Sequence, residues 1–280
     1  MAKLTPKEKF AKVGINVFII FYLIITFFPM YWMVVNSLKN KLELGVTPPT
    51  LFTLAPTFAS YVLMFVKRMF ARLILNSVIV ATLTSIICLV VGLPAAYSLS
   101  RMHIPKRISR GISLSILVSK TLPPIAFVIP LFLIFSKIHI IGTYASLIIP
   151  YVALNLPFMI WLVKGILDDT AVDIEEAAMM DGDSRFAAFR KITIPNIVSA
   201  LFAASILVFI FSWNEFLFAV IFTNTWKTMT LPMGVWGTLS QYEFTWDKTS
   251  AAASIAIIPV IIFAFAIRKY LIKGLTMNTK

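Results

Sequence analysis

Between two strongly apolar stretches runs Asp173-Ile174-Glu175-Glu176-Ala177-Ala178-Met179-Met180-Asp181-Gly182, continuing through Arg185, Phe186 and Phe189 to Ile192-Thr193-Ile194-Pro195. It is the longest polar interval of the chain that still reads as ordered helix. Its residue types suit recognition rather than covalent chemistry. Asp173 is placed to cap a helix by accepting from the backbone of Glu176, whose carboxylate reaches back, a capping box with Asp in the Ser/Thr position. Gly182 supplies the left-handed residue that ends the helix. Ala177 and Ala178 let another backbone come close, and Ser184 can cap a second short helix with Phe186 and Phe189 on one face. A plain cytoplasmic helix-turn-helix linker meets the same description; a docking element held at a membrane surface is the sharper alternative.

The apolar runs hold a few polar residues of their own. Lys120 precedes Pro123-Pro124, and a cation at the centre of a spanning helix costs about 2.5–3.5 kcal/mol, so it should face protein or water unless it snorkels to an interface. Trp213, Asn214 and Glu215 stand together: an indole offers a face to C–H groups, and an amide and a carboxylate bond hydroxyls, as a transient carbohydrate site requires. An interfacial aromatic belt with helix packing uses the same residues. Asn155, before Pro157, is either a weaker candidate of this kind or glue between helices. His103 and His139 have no partner at ligand spacing, so no metal site is expected. The chain carries no H-E-x-x-H, G-x-S-x-G or Walker A pattern, so it is not expected to be an enzyme.

The elements that must position these residues are membrane helices. Of 280 residues 59% are hydrophobic and 13% charged, and mean hydropathy is +0.90, beyond the range of a soluble domain. The net charge of +13 lies mostly beside apolar runs, where it speaks for topology rather than for nucleic acid. The lone Cys88 excludes an intrachain disulfide and is expected as a small packed residue. The first apolar run is too long for a signal peptide and is read as a retained span.

Hydropathy places six spans, near 13–36, 73–99, 112–136, 141–165, 197–223 and 251–272, each of roughly the 20 residues a bilayer core needs. Residues 1–12 and 273–280 are then tails, and 166–196 is a loop within the spanning domain, 13–272. The basic termini and the cluster Arg101, Lys106, Arg107 and Arg110 ask for the cytoplasm, while Lys39, Lys41, Lys67, Arg68 and Arg72 argue against that orientation. The first external loop is expected to hold an interfacial helix over 60–70, and the last, 224–250, to be structured enough to touch a partner or a ligand. Prolines at 94, 123, 124, 130, 150, 157 and 259 predict interrupted helices lining a path.

Glu176-Ala177-Ala178, then Gly182, then Ile192-x-Ile194-Pro195 at these spacings resembles the EAA motif of the membrane subunits of ABC importers, with Ile194 where Leu is usual. Leu156-Pro157-Phe158, Ser212-Trp213-Asn214-Glu215-Phe216, Thr230-Leu231-Pro232-x-Gly234 and Gly274-Leu275-Thr276 extend the resemblance over essentially the whole chain, to the shorter permease subunit of carbohydrate importers. The resemblance implies an all-α membrane protein with six transmembrane helices, cytoplasmic termini and a cytoplasmic coupling helix. Glu175, Glu176, Ala177, Ala178, Asp181, Gly182, Arg185 and Phe186 would meet a separate ATPase, and Lys120 would serve gating or structure. The implied partners are a second permease subunit, two ATPase subunits holding ATP and Mg, an extracytoplasmic solute-binding protein, a carbohydrate and membrane lipid. The expected location is a bacterial or archaeal inner membrane. An ion-coupled secondary transporter working without an ATPase is the alternative, and it asks for buried carboxylates beyond Glu215.

Overall fold

The computed structural model describes residues 6–66, 69–102, 104–119, 121–238 and 246–277. Lys67, Arg68, His103 and Lys120 therefore lie outside the described residues. Every regular element among those described is helical. Among the described residues, five helices are long and apolar enough to cross a membrane, with spans at Lys12–Leu38, Phe70–Arg101, Ala145–Asp168, Arg185–Trp213 and Trp246–Ala266. The chain forms two compact units, residues 1–69 with 235–257, and residues 70–234 with 258–280.

In the first unit the long helix α1 (Pro6–Leu38) is followed by the single turn α2 (Lys41–Leu44) and by α3 (Ala59–Val66). The loop between α2 and α3 is held by side chains rather than by regular structure. Lys39, 2% exposed, donates from Nζ to Asn36 Oδ1 at 3.0 Å and to the Thr50 carbonyl at 2.6 Å, and lies 4.4 Å from the Trp32 ring centre. A buried ammonium needs such acceptors and a π face. Glu43 accepts from Thr53 Oγ1 and from the amides of Leu54 and Ala55, and Ser60 donates to Asp247 Oδ2 at 2.6 Å. The helix expected over 60–70 is present as α3, ending at Val66.

In the second unit α4 (Phe70–Arg101) and α7 (Ala145–Asp168) lie side by side, with α10 (Ile194–Trp213) against both. Cys88, Ala96, Tyr97, Met159, Val163, Leu167, Ile197, Leu201, Ala204 and Val208 form their shared core. Gly92 permits the approach of α7, since a Cβ there would stand 2.8 Å from Met159 Cγ. Cys88 is a packed core residue, as its setting in the sequence implies.

Two of the six expected spans are not single helices. The stretch 112–136 divides into α5 (Lys106–Ser119) and the 13-residue α6 (Ile125–Lys137), because Pro123-Pro124 removes two backbone donors and disfavours helical geometry before each ring. The stretch 197–223 divides into α10 and the short α11 (Leu217–Phe222). Glu215 stands in the break, accepting from the amides of Phe218 at 3.0 Å and Ala219 at 3.4 Å, and so satisfies donors that the first turn of α11 leaves orphaned.

One amide on α4 ties the segment after α11 to Tyr144, the residue before α7. Asn76 Nδ2 donates to the carbonyls of Trp226 and Met229, and its Oδ1 accepts from the Tyr144 hydroxyl at 2.7 Å. Ser77 Oγ accepts from the Leu231 amide at 2.8 Å, where α12 (Leu231–Gly237) begins. This part of the expected external loop is ordered, as its residues foretell.

Candidate functional site

The polar interval folds as α8 (Asp173–Met180), a tight turn, α9 (Arg185–Ala188), and a π-helix over Phe189–Thr193 that runs into α10. The helix-terminating role of Gly182 holds: its φ is +98°, the Gly182 amide donates to the Met179 carbonyl and the Asp183 amide to that of Ala178, which is the paired bonding of a Schellman turn. Ser184 caps α9 by accepting from the Ala187 amide. The proposed capping box does not form. Val172 occupies the cap position with no side-chain bond, and Asp173 is already the first helical residue. Its carboxylate, with Glu175 and Glu176 in the same first turn, still complements the positive end of the helix dipole.

Helical periodicity splits this short element into two faces. Ile174, Ala177 and Met180 lie three residues apart and are exposed, as are Glu176 and Asp181; Met180 is 88% exposed. Phe186 continues the outer surface on α9 at 71%. Glu175, Ala178 and Met179, at the complementary i, i+3, i+4 spacing, turn inward. The adjacent alanines thus serve opposite faces.

Glu175 is the centre of the inner side. It accepts from the Tyr97 hydroxyl, from Thr193 Oγ1 at 3.0 Å and from Arg101 Nε at 3.3 Å, and the side chains of the ion pair are only 6% and 5% exposed. Arg101 ends α4, and its other nitrogens reach the Ser100 hydroxyl and the carbonyls of Leu167, at 2.7 Å, and Thr170, at 2.9 Å. A guanidinium is suited to this work because its planar fork serves several acceptors at once, and carbonyls at a helix C-terminus lack intrahelical donors. Arg185, expected at a partner surface, is exposed and also donates to the Arg101 carbonyl at 3.1 Å. The Phe189 ring packs 4.4 Å from that of Tyr97, and the Phe186 and Phe189 rings lie 6.5 Å apart, tilted by 44°.

Of the residues expected along a membrane path, Lys120 lies outside the described residues, and Asn155 reaches the helix end that carries Trp213, Asn214 and Glu215 through Ser212. Asn155 is buried and donates to the Tyr151 carbonyl at 2.8 Å and to Ser212 Oγ at 3.5 Å, the geometry of helix-to-helix glue. Trp213 is 2% exposed and stacks on Phe209 at 5.9 Å, so its indole presents no open face in this conformation. Asn214 is exposed and donates to the Ile210 carbonyl, while Glu215 is half-buried at the start of α11. Tyr97, Arg101 and Thr193 were not foreseen as partners of the polar interval. The one signal available was the inward i, i+3, i+4 face, which marks Glu175 as needing a buried counter-charge but does not name it.

Residues 88–277 match the family of binding-protein-dependent transport system inner membrane components. The chain is 37% identical over 252 residues to a probable ABC transporter permease protein, y4oR, of Sinorhizobium fredii, covering 90% of this chain and 89% of that one. It is 34% identical over 249 residues to the sulfoquinovosyl glycerol transport system permease protein SmoH of Agrobacterium fabrum, covering 89% and 87%. Its fold is similar to that of a chain in the crystal structure of a bacterial ABC transporter involved in import of the acidic polysaccharide alginate, with a TM-score of 0.81, 19% identity and coverage of 96% and 99%. A multi-pass helical chain with an EAA-type loop between two of its spans, matched in this way over most of its length, belongs to the inner-membrane permease components of binding-protein-dependent ABC transporters.

Proposed function

We propose that this chain is one permease subunit of an ATP-driven importer for a carbohydrate, and that the outer face of α8 and α9 docks into a separate ATPase subunit. The observation that carries the docking is the bare surface of Ile174, Ala177, Met180 and Phe186, apolar side chains presented on a turn whose backbone is rigidly closed at Gly182. Exposed apolar groups ringed by Glu176, Asp181 and Arg185 are what a protein partner covers. That face lies on the cytoplasmic side in this reading, with the termini there too. The carbohydrate follows from the relatives that move glycosylated or polysaccharide substrates.

A second permease subunit completes the pathway, two ATPase subunits hold ATP and Mg, and an extracytoplasmic binding protein delivers the substrate. Closure of the ATPase pair pushes on α8, and the spans turn as rigid bodies to open the path to one side and then the other. Asn214 and Glu215, and Lys120, are the polar groups proposed along that path, with Asn155 positioning the helices beside it. The test is co-purification. Replacing Glu176 and Gly182 together with Ala, or Met180 with Glu, is expected to lose the ATPase from the purified complex and abolish uptake in proteoliposomes. Undiminished uptake by the double variant would sink the docking role.

A further inference from the structure

Docking explains the outer face of α8 but not how a push on it reaches the spans. An eight-residue helix has too few internal bonds to be stable alone, and a lever that rolls or frays under load transmits nothing. The inner face supplies the constraint. Glu175 accepts from two residues of α4, Tyr97 and Arg101, and from Thr193 of the π-helix that opens α10. The same Arg101 holds the carbonyls of Leu167 and Thr170 where α7 ends. One buried carboxylate and one buried guanidinium therefore join α4, α7, α8 and the start of α10.

We propose that Glu175 and Arg101 are positioning residues: a buried latch that fixes the angle of the coupling helix to α4, α7 and α10, so that movement of the ATPase becomes movement of the spans. The inference rests on the docking reading for its direction of force, though the latch itself is a property of this chain. Burial matters here, because an exposed pair is screened by water and salt, whereas a desolvated pair whose carboxylate takes three donors is directional. The π-helix contributes as well. Such wide turns inside α-helices are frequent at functional places, and this one carries both Phe189, against Tyr97, and Thr193, against Glu175.

The test uses the assembled importer in proteoliposomes, with three readouts on Glu175→Gln, Arg101→Gln and Arg101→Lys: ATPase retained on purification, substrate taken up per ATP hydrolysed, and amide exchange of the 173–180 peptide. Both glutamine variants are expected to keep the ATPase, exchange α8 amides about tenfold faster as the local opening energy falls, and lose most uptake per ATP. The double glutamine variant should be no worse than the poorer single one, since the two residues act as one unit. Arg101→Lys should recover part of the ratio, a lysine reaching Glu175 but not both carbonyls. Unchanged uptake per ATP with unchanged exchange in Glu175→Gln overturns the latch. If the glutamine variants fail to assemble, Tyr97→Phe and Thr193→Val each remove one donor and decide the matter by the same two readouts. Should no ATPase accompany the unaltered chain, the docking reading falls, while exchange of α8 in Glu175→Gln still judges the latch.

Discussion

Adjacent glutamates in α8 live in opposite surroundings, and their substitution should separate accordingly. Glu176 is exposed, so Glu176→Ala is expected to change stability by no more than about 0.5 kcal/mol. Glu175→Ala removes the partner of a buried guanidinium and should cost roughly 3–5 kcal/mol; thermal unfolding of the two variants in detergent checks the contrast. Glu43 gives a pH dependence outside the membrane. The Thr53 hydroxyl, with the amides of Leu54 and Ala55, holds its carboxyl below the ordinary value of 4.5 despite some opposing desolvation. A depressed folded-state pKa contributes stability that is present above the unfolded value and lost as pH falls through the folded value. Protection of the Leu54 and Ala55 amides should therefore decline on acidification below 4.5, and Glu43→Gln should show the same loss at neutral pH in amide-exchange measurements.

Elements are shaped by local backbone rules where their ends are concerned and by neighbours where their packing is. Gly182 holds φ at +98° with open space where a Cβ would stand, so Gly182→Ala meets no clash and suffers only the left-handed penalty, about 1–2 kcal/mol. Gly182→Asn should recover part of it, since Asn tolerates that region better, and melting temperatures of the three forms order the effect. Gly92 is the opposite case, limited by space. A Cβ there would stand 2.8 Å from Cγ and 3.4 Å from Cβ of the buried Met159, atoms close to the backbone of α7, so Gly92→Ala should already cost about 1–3 kcal/mol through overpacking and Gly92→Val more. The breaks within 112–136 and 197–223 also belong to this scale. Pro123-Pro124 announces the first in the sequence. Nothing so plain announces the second, where no proline stands and Asn214-Glu215 only briefly interrupts an apolar run, and a side-chain cap at Glu215 lets the chain leave one helix and start another.

Across the molecule, the buried setting of Lys39 bears on the positive charge that counted against the expected orientation. Its ammonium is enclosed by a carbonyl, an amide and an indole, so it is matched within its own loop rather than left as a free basic flank. In the proposed topology a cysteine at Met180 is labelled by a membrane-impermeant maleimide only from the cytoplasmic side, and one at Leu54, which is 91% exposed, only from outside. Cys88, fully buried, should stay silent in both cases. Labelling of both positions from one side would overturn the orientation.

The polar interval, the positive φ at Gly182, the Ser184 cap and most of the membrane spans could be read from the sequence, because each depends on residues within a few positions of one another or on the mean polarity of a run. The inward turn of Glu175 and its engagement by Arg101, 74 positions away, could not. Neither could the burial of Trp213, whose neighbours are chosen by how α10 packs. Periodicity says that a helix has an inner face and that a carboxylate on it needs a counter-charge; which cation answers depends on where long-range packing brings the helix ends together. Hence the outer face of α8, proposed for docking, is legible in order, while the Glu175–Arg101 contact beneath it is decided only by the fold.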